Sequence, residues 1–189
     1  PMGRARDAAA YTADALSLPV EVLPWVREMD DVTVPSHLRD DLAVWHVPPR
    51  QSVSQIPAED WMQASLFKGT ALARRMRELS QGVAALLSPY GLRSVPGGYS
   101  LQRDLSCAGD LAVFCHQGAG LTLAAFLLGI PPPVIWRSCY IAPTSVTTLL
   151  LEQSEQHFAS FRMLCMGNTS HLACAKVHVP LSGLLYNQR

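Results

Sequence analysis

The chain has 189 residues, of which 49% are hydrophobic and 16% charged, and its 15 basic residues balance its 15 acidic ones. This length and composition predict a single globular domain, residues 1–189, with a substantial core. A formal net charge of zero argues against a broad nucleic-acid surface and against a polybasic membrane patch, so any anion site must come from a few local groups.

The five cysteines are odd in number and show no CxxC spacing. Both facts argue against a disulfide framework and against a structural zinc site, so we expect reduced thiols in a cytoplasmic protein. No apolar run is long enough to cross a bilayer, and the opening residues PMGRARD do not resemble a signal peptide. No membrane partner is therefore expected.

The first predicted elements are a helix and a short strand. Residues 3–16, GRARDAAAYTADAL, are rich in alanine and free of proline, which predicts an α-helix. Residues 20–23, VEVL, alternate as a short strand does. Residues 31–57 then carry four prolines and no clear period. A stretch of this kind is either an active-site cover or a disordered insertion, and we favour the cover.

A long helix is predicted over residues 58–87, with a break near Gly69. Its apolar residues recur every three or four positions, and its other face carries a basic cluster that we interpret as solvated, Arg74, Arg75, Arg77 and Glu78. Residues 96–98, PGG, predict a turn between two short extended pieces. Residues 145–153 and 161–166 read as two further strands that could form a hairpin.

The stretch with the most functional information is residues 111–130, LAVFCHQGAGLTLAAFLLGI. Residues 111–115 have the character of a buried strand, and residues 118–128 are long and apolar enough for a buried helix. A strand that ends in a polar, glycine-containing turn and runs into a helix points backbone N–H groups and the positive end of the helix dipole at one spot. Open α/β sheets place their ligands at such strand ends. The pattern predicts a phosphate or carboxylate site around His116.

Three separated stretches resemble the histidine phosphatase superfamily, the phosphoglycerate mutase-like proteins. In MGRARDAAAYTADALSLPVEVLPWVRE, Arg4 opens a helix, a strand follows, and Glu28 ends a "leucine, any residue, glutamate" triplet in which Val26 replaces the leucine. VFCHQGAGLTLAAFLLGIP is similar to the family's strand, second histidine, glycine turn and helix. APTSVTTLLLEQ and RMLCMGNTSHL are similar to its last two strands and closing loop. Together the stretches cover most of the chain outside residues 31–110.

The resemblance implies an α/β fold, a three-layer αβα sandwich with a mostly parallel sheet. It also implies a phosphomonoester hydrolase that acts through a phosphohistidine on a small phosphorylated substrate, without metal or cofactor; a mutase-type phosphotransferase is an alternative. Arg4, His116 and the backbone N–H of Gln117 would then hold the phosphoryl group, and Glu28 would be the general acid. Such a reaction needs positioning and charge neutralisation above all.

The chain departs from the family at the nucleophile. Members open with a strand that ends in an arginine, histidine, glycine triplet, and none of the six histidines here follows an arginine. By the family's layout the triplet would lie upstream of Pro1, so we expect an N-terminally incomplete domain that alone is inactive. The alternative is a catalytically inactive pseudoenzyme or fragment that binds anions or a protein partner. A missing strand would also leave an exposed edge beside residues 111–115, which would allow a homodimer.

Overall fold

A computed structural model describes residues 2–36, 40–57, 59–102 and 109–184. Within them the protein is a mixed α/β fold of helices and two small sheets. The helices are α1 (Gly3–Leu16), α2 (Pro49–Gln55), α3 (Leu72–Leu87), α4 (Gln117–Leu128), α5 (Pro132–Ser138) and α6 (Ser170–Cys174). None of these helices has both the length and the apolarity needed to cross a membrane.

Both sheets are antiparallel in the part of the chain that the structure describes. β1 (Thr33–Val34) pairs with β2 (Leu42–Ala43). The larger sheet has the order β3-β4-β6-β5, built from β3 (Leu92–Val95), β4 (Gly98–Leu101), β5 (Val146–Glu155) and β6 (Phe158–Asn168). The expected α/β class is therefore confirmed at this coarse level, while the described strands form no parallel ladder.

Several elements follow from local sequence. Helix α1 spans the residues that the alanine-rich pattern predicted. The predicted turn joins β3 to β4, where Gly97 has a φ of +84° that favours glycine. Strands β5 and β6 confirm the predicted hairpin, although their ladder continues to Phe158 and leaves a shorter turn than expected. Helix α4 ends at Gly129, whose N–H caps the last turn at Ala125 and Phe126.

The prediction of strands at residues 20–23 and 111–115 is wrong, because neither range pairs with another strand in the described part of the chain. Neither range forms regular secondary structure. Residues 19–22 and 109–115 make no backbone–backbone hydrogen bond to any other described residue. A strand is defined by a paired neighbour, and apolar character alone supplies none. Residues 112–115 still alternate as a strand does, because Val113 and Cys115 pack on the core whereas Phe114 is exposed; Leu111, also exposed, does not follow this alternation.

The long predicted helix is shorter than expected. Helix α3 begins at Leu72, and two 3₁₀ turns, Trp61–Gln63 and Ser65–Phe67, precede it. Ala58, where the helix was predicted to begin, lies outside the described residues. Gly69 has a φ of +80°, a left-handed conformation that interrupts a right-handed helix, so the predicted break is confirmed. The described residues of the predicted helix that precede Gly69 form no α-helix.

The described parts of residues 31–57 belong to the core. Val32, Val34, Leu42 and Val44 are each at most 1% exposed, and the short β1–β2 pair brings them inward. The alternative of a disordered insertion is therefore wrong for the described residues, while the active-site cover stays a prediction. Strands of two residues are too short to produce a readable period, which is why the pattern missed them.

Two apolar clusters form the core and meet at α4. The first joins residues 29–47 to α3, α4 and α5 through residues that include Met29, Val44, Met76, Leu79, Leu121 and Trp136. The second joins α3 and α4 to the larger sheet through residues that include Val26, Val83, Leu92, Tyr99, Leu123 and Ala159. Helix α4 contributes to both clusters, and its fixed position sets where its N-terminus points.

Candidate functional site

The candidate site lies at the N-terminus of α4, which His116 precedes as the N-cap residue. His116 has an extended backbone (φ −119°, ψ 174°), and its carbonyl accepts the N–H of Gly120 at 2.7 Å. The imidazole does not cap the helix. The free N–H groups of the first turn must therefore find acceptors elsewhere.

Glu28 supplies those acceptors. Its Oε1 accepts the N–H of Ala119 at 2.9 Å and that of Met29 at 3.0 Å, and its Oε2 accepts the N–H of Gly118 at 3.2 Å. Glu28 is buried, and a carboxylate at a helix N-terminus is favoured by both the free N–H groups and the helix dipole. The anion that the turn was predicted to bind at Gly118 and Ala119 is thus the protein's own carboxylate.

His116 presents a nitrogen that has no partner. Its Nε2 is buried and makes no hydrogen bond within the described residues. Burial lowers the pKa of the imidazole below its ordinary value; the Glu28 carboxylate opposes this shift and the Arg4 guanidinium reinforces it. His116 is therefore mainly neutral near pH 7, with one buried nitrogen that makes no hydrogen bond to a described residue.

Arg4 and Gln117 complete the predicted set. Arg4 is exposed on the first turn of α1, and its charge acts on His116. Gln117 is the first residue of α4, and its backbone N–H has no partner among the described residues. The structure thus brings Glu28, His116 and Gln117 together at one helix end, with Arg4 within electrostatic range.

Aromatic and C-terminal residues form the wall of the site. Trp45 packs so closely on the first turn of α4 that a Cβ on Gly118 would overlap its ring. A Cβ on Gly183 would likewise overlap Oε1 of Gln117. The Tyr140 hydroxyl donates to the carbonyl of Ser182 at 3.0 Å, which ties this C-terminal segment down beside the helix. Position 118 therefore requires a residue without a Cβ, and the φ of +96° at Gly183 favours glycine there.

A charged network supports the segment that carries Glu28. Asp31 accepts hydrogen bonds from Arg27 Nη2 at 2.8 Å and from Arg74 Nη2 at 2.6 Å. Burial alone would raise the pKa of Asp31, but the hydrogen bonds from Arg27 and Arg74, with the charges of Arg27 and Arg75, hold it below its ordinary value. The segment is thus pinned to α3 by ionised groups.

Arg75 is the important residue that the sequence reasoning missed. It was assigned to a solvated face, yet its side chain is fully buried. The signal that could have found it is its spacing, because Arg75 lies three residues after Leu72 and four before Leu79, both on the buried face of α3. A charged residue in an apolar stripe of this kind needs buried partners.

Cys115, next to His116, is not an activated thiol. Burial, with the negative charge of Glu28, raises its pKa to about 11, and a nucleophilic thiol needs the opposite shift. The cysteines at 115, 139, 165 and 174 are free in the described part of the chain; Cys107 lies outside the described residues. Within the described part of the chain, no group of three or more metal-ligating side chains is assembled.

Comparison with known proteins finds no matching family model, no matching curated protein and no matching solved structure. The likeness to histidine phosphatases therefore rests on the residues quoted from the sequence. The chemistry of the site must be argued from its geometry.

Proposed function

We propose that the chain carries the phosphate-holding half of a phosphomonoester hydrolase of the histidine phosphatase type. In this proposal His116, Arg4 and the N–H of Gln117 bind the phosphoryl group. The observation that carries it is the buried, unpartnered Nε2 of a neutral imidazole beside a free helix N–H and within range of a guanidinium. A neutral donor and a cation near one helix N-terminus suit an oxyanion.

The nucleophile is proposed to come from a histidine outside these 189 residues. Residues 19–22 and 109–115 lead to Glu28 and His116 respectively, and both carry backbone groups that no other described residue satisfies. Backbone edges of this kind accept an added strand. A strand laid along them would end beside His116 and would supply the parallel pairing of the expected three-layer sandwich. A second copy of the chain is the other source of such a strand, and this keeps the homodimer as a proposal.

Glu28 has a more constrained role in this site than that of a free general acid. Its two carboxylate oxygens accept three backbone N–H groups. A general acid must turn one oxygen towards the leaving group, and Oε2, which accepts only from Gly118, is the less constrained of the two. We propose that Glu28 primarily fixes the helix end and the charge state around His116, and that the general-acid role depends on release of the bond to Gly118, the longest of the three at 3.2 Å.

The second candidate is an anion-binding protein without turnover. The observation that favours it is that Glu28 already neutralises the helix N-terminus at Gly118 and Ala119, which leaves a bound phosphate with fewer donors than a catalytic site offers. Both candidates require phosphate to bind at His116. Only the first requires phosphohistidine and product release.

Phosphate binding is tested by titrating inorganic phosphate into the 189-residue protein while the His116 imidazole is followed by NMR. We expect saturable shifts at Nε2, and a loss of affinity of about tenfold or more in Arg4→Ala, since a hydrogen bond to a charged group contributes about 1.5–3 kcal/mol. Arg6→Ala is the matched control, because residues two apart on α1 do not share a face. Unchanged His116 signals at saturating phosphate would exclude both candidates.

Turnover is tested separately with p-nitrophenyl phosphate and an alkaline quench that preserves phosphohistidine. We expect neither product nor acid-labile phosphate from the 189-residue protein. Both should form when the coding sequence upstream of Pro1 is included, and both should fall sharply in His116→Ala. If that upstream sequence holds no arginine, histidine, glycine triplet, only the anion-binding candidate survives.

A further inference from the structure

Arg75 is a fully buried cation in the middle of α3, and every group it contacts belongs to α3 itself or to the segment that carries Glu28. Its Nη1 donates to Glu78 Oε2. Its Nη2 donates to the carbonyl of Arg27 at 3.0 Å and to that of Trp25 at 3.5 Å. Both carbonyls lie just before Glu28 in the chain.

Burying the Arg75 guanidinium costs free energy, which indicates that this residue does more than fill space in the core. A buried guanidinium loses its hydration, and an apolar side chain of similar volume often serves stability as well or better. The Nε of Arg75 lies 3.5 Å from Asp31 Oδ1 yet makes no hydrogen bond, so the desolvation is not fully compensated. An apolar residue, however, could not hold two backbone carbonyls in a fixed orientation, because it has no hydrogen-bond donor.

Those carbonyls determine where Glu28 points. The chain turns through the 3₁₀ element Pro24–Val26 immediately before it, and Arg27 donates from Nη1 to the carbonyl of Glu28 at 3.3 Å. With the carbonyls at 25, 27 and 28 all held by guanidinium groups, the backbone from which the Glu28 side chain reaches Gly118 and Ala119 is fixed. Rigid support of this kind is what a pre-organised site requires.

We propose that Arg75 is a positioning residue that holds the Glu28 carboxylate against the N-terminus of α4 beside His116. Arg75 acts through the backbone of residues 25 and 27 and is too deeply buried to meet a ligand. The inference concerns the site of the proposed function, but it does not require phosphate or turnover to be true.

Arg74 provides a matched control. It contacts the same two carboxylates, Asp31 at 2.6 Å and Glu78 at 2.8 Å, but it donates to none of the carbonyls of the Glu28 segment. Arg74→Met and Arg75→Met therefore remove the same charge from the same network. Only Arg75→Met removes the hold on residues 25 and 27.

The test follows three NMR signals, the amide protons of Gly118 and Ala119 and the pH titration of His116. In Arg75→Met we expect both amide signals to move upfield as they lose their carboxylate acceptor, and the pKa of His116 to fall as Glu28 recedes. Removal of a positive charge would by itself raise that pKa, so the sign separates displacement of Glu28 from direct electrostatics. In Arg74→Met the two amide signals should stay at their wild-type positions, and the pKa of His116 should not fall.

A general loss of stability would not reproduce this pattern, because a folded variant with Glu28 in place keeps the wild-type His116 titration. If Arg75→Met does not fold, Arg75→Lys is the second variant. Lysine keeps the charge but lacks the planar guanidinium that holds both carbonyls, so the signals should move in the same directions. In a Glu28→Gln background, Arg75→Lys should leave the titration of His116 unchanged. If Arg75→Met or Arg75→Lys folds and keeps the wild-type amide and His116 signals, the proposal is wrong, whether or not the protein binds phosphate.

Discussion

The contact between Glu28 and α4 makes a quantitative prediction for Glu28→Gln. The amide oxygen of glutamine can still accept the N–H groups of Met29 and Ala119, but each bond becomes weaker by about 1 kcal/mol because the acceptor is neutral. The amide nitrogen then faces the N–H of Gly118, and a buried donor without an acceptor costs about 1–3 kcal/mol. These costs overlap, so we expect a total loss of about 2–4 kcal/mol.

Urea denaturation at pH 7.5 measures this loss. With a slope of about 2 kcal/mol per molar urea, the midpoint should fall by roughly 1–2 M. Glu152→Gln is the matched control: Glu152 accepts from Arg162 Nε at 2.8 Å on the exposed face of the β5–β6 hairpin. Exposed ion pairs of this kind contribute about 0–1 kcal/mol.

If Glu28→Gln costs no more than Glu152→Gln, then Glu28 does not hold the helix end. In that case its carboxylate is free for other chemistry, including the general-acid role.

Two further predictions concern His116 and its neighbour. Burial lowers the pKa of His116 in the folded state, so the unfolded chain binds the proton first as the pH falls below about 6.5. Wild type should therefore lose stability as the pH falls from there through the folded pKa, with a smaller slope in His116→Asn; equal slopes would contradict the burial argument. The raised pKa of Cys115 predicts slow alkylation by iodoacetamide at pH 7.5 beside rapid alkylation of the exposed Cys174. Equal rates by peptide mass spectrometry would show that Cys115 is accessible.

The elements that the sequence predicted well are those stabilised by local interactions. Helix α1 follows from the intrinsic propensity of alanine, and the β3–β4 turn follows from a glycine that tolerates a positive φ. The apolar run of α4 and its stop at Gly129 are also local signals. In each case the residues that decide the structure lie within a few positions of one another.

The parts that the sequence did not predict depend on distant partners. Residues 111–115 have a strand's composition, but a ladder needs a neighbouring strand that the described residues do not provide. The anion at the α4 N-terminus is Glu28, 90 positions away from Gly118. Arg75 lies 48 positions from the Arg27 carbonyl that it holds. Patterns read over a window of a dozen residues carry no information on such pairs.

The charges around His116 connect these observations to the proposed function. A phosphomonoester dianion placed there meets the positive charge of Arg4 and the negative charges of Glu28 and Asp30, which also act in opposite directions on the imidazole itself. Because these charges oppose each other, hydrogen bonds to His116 and to the free N–H of Gln117 must contribute to the binding. Phosphoryl transfer needs further positive charge on the transferred oxygens. In the proposed mechanism that charge would come with the nucleophile, so binding by the 189-residue protein should be weak, and an added strand should raise phosphate affinity and create turnover together.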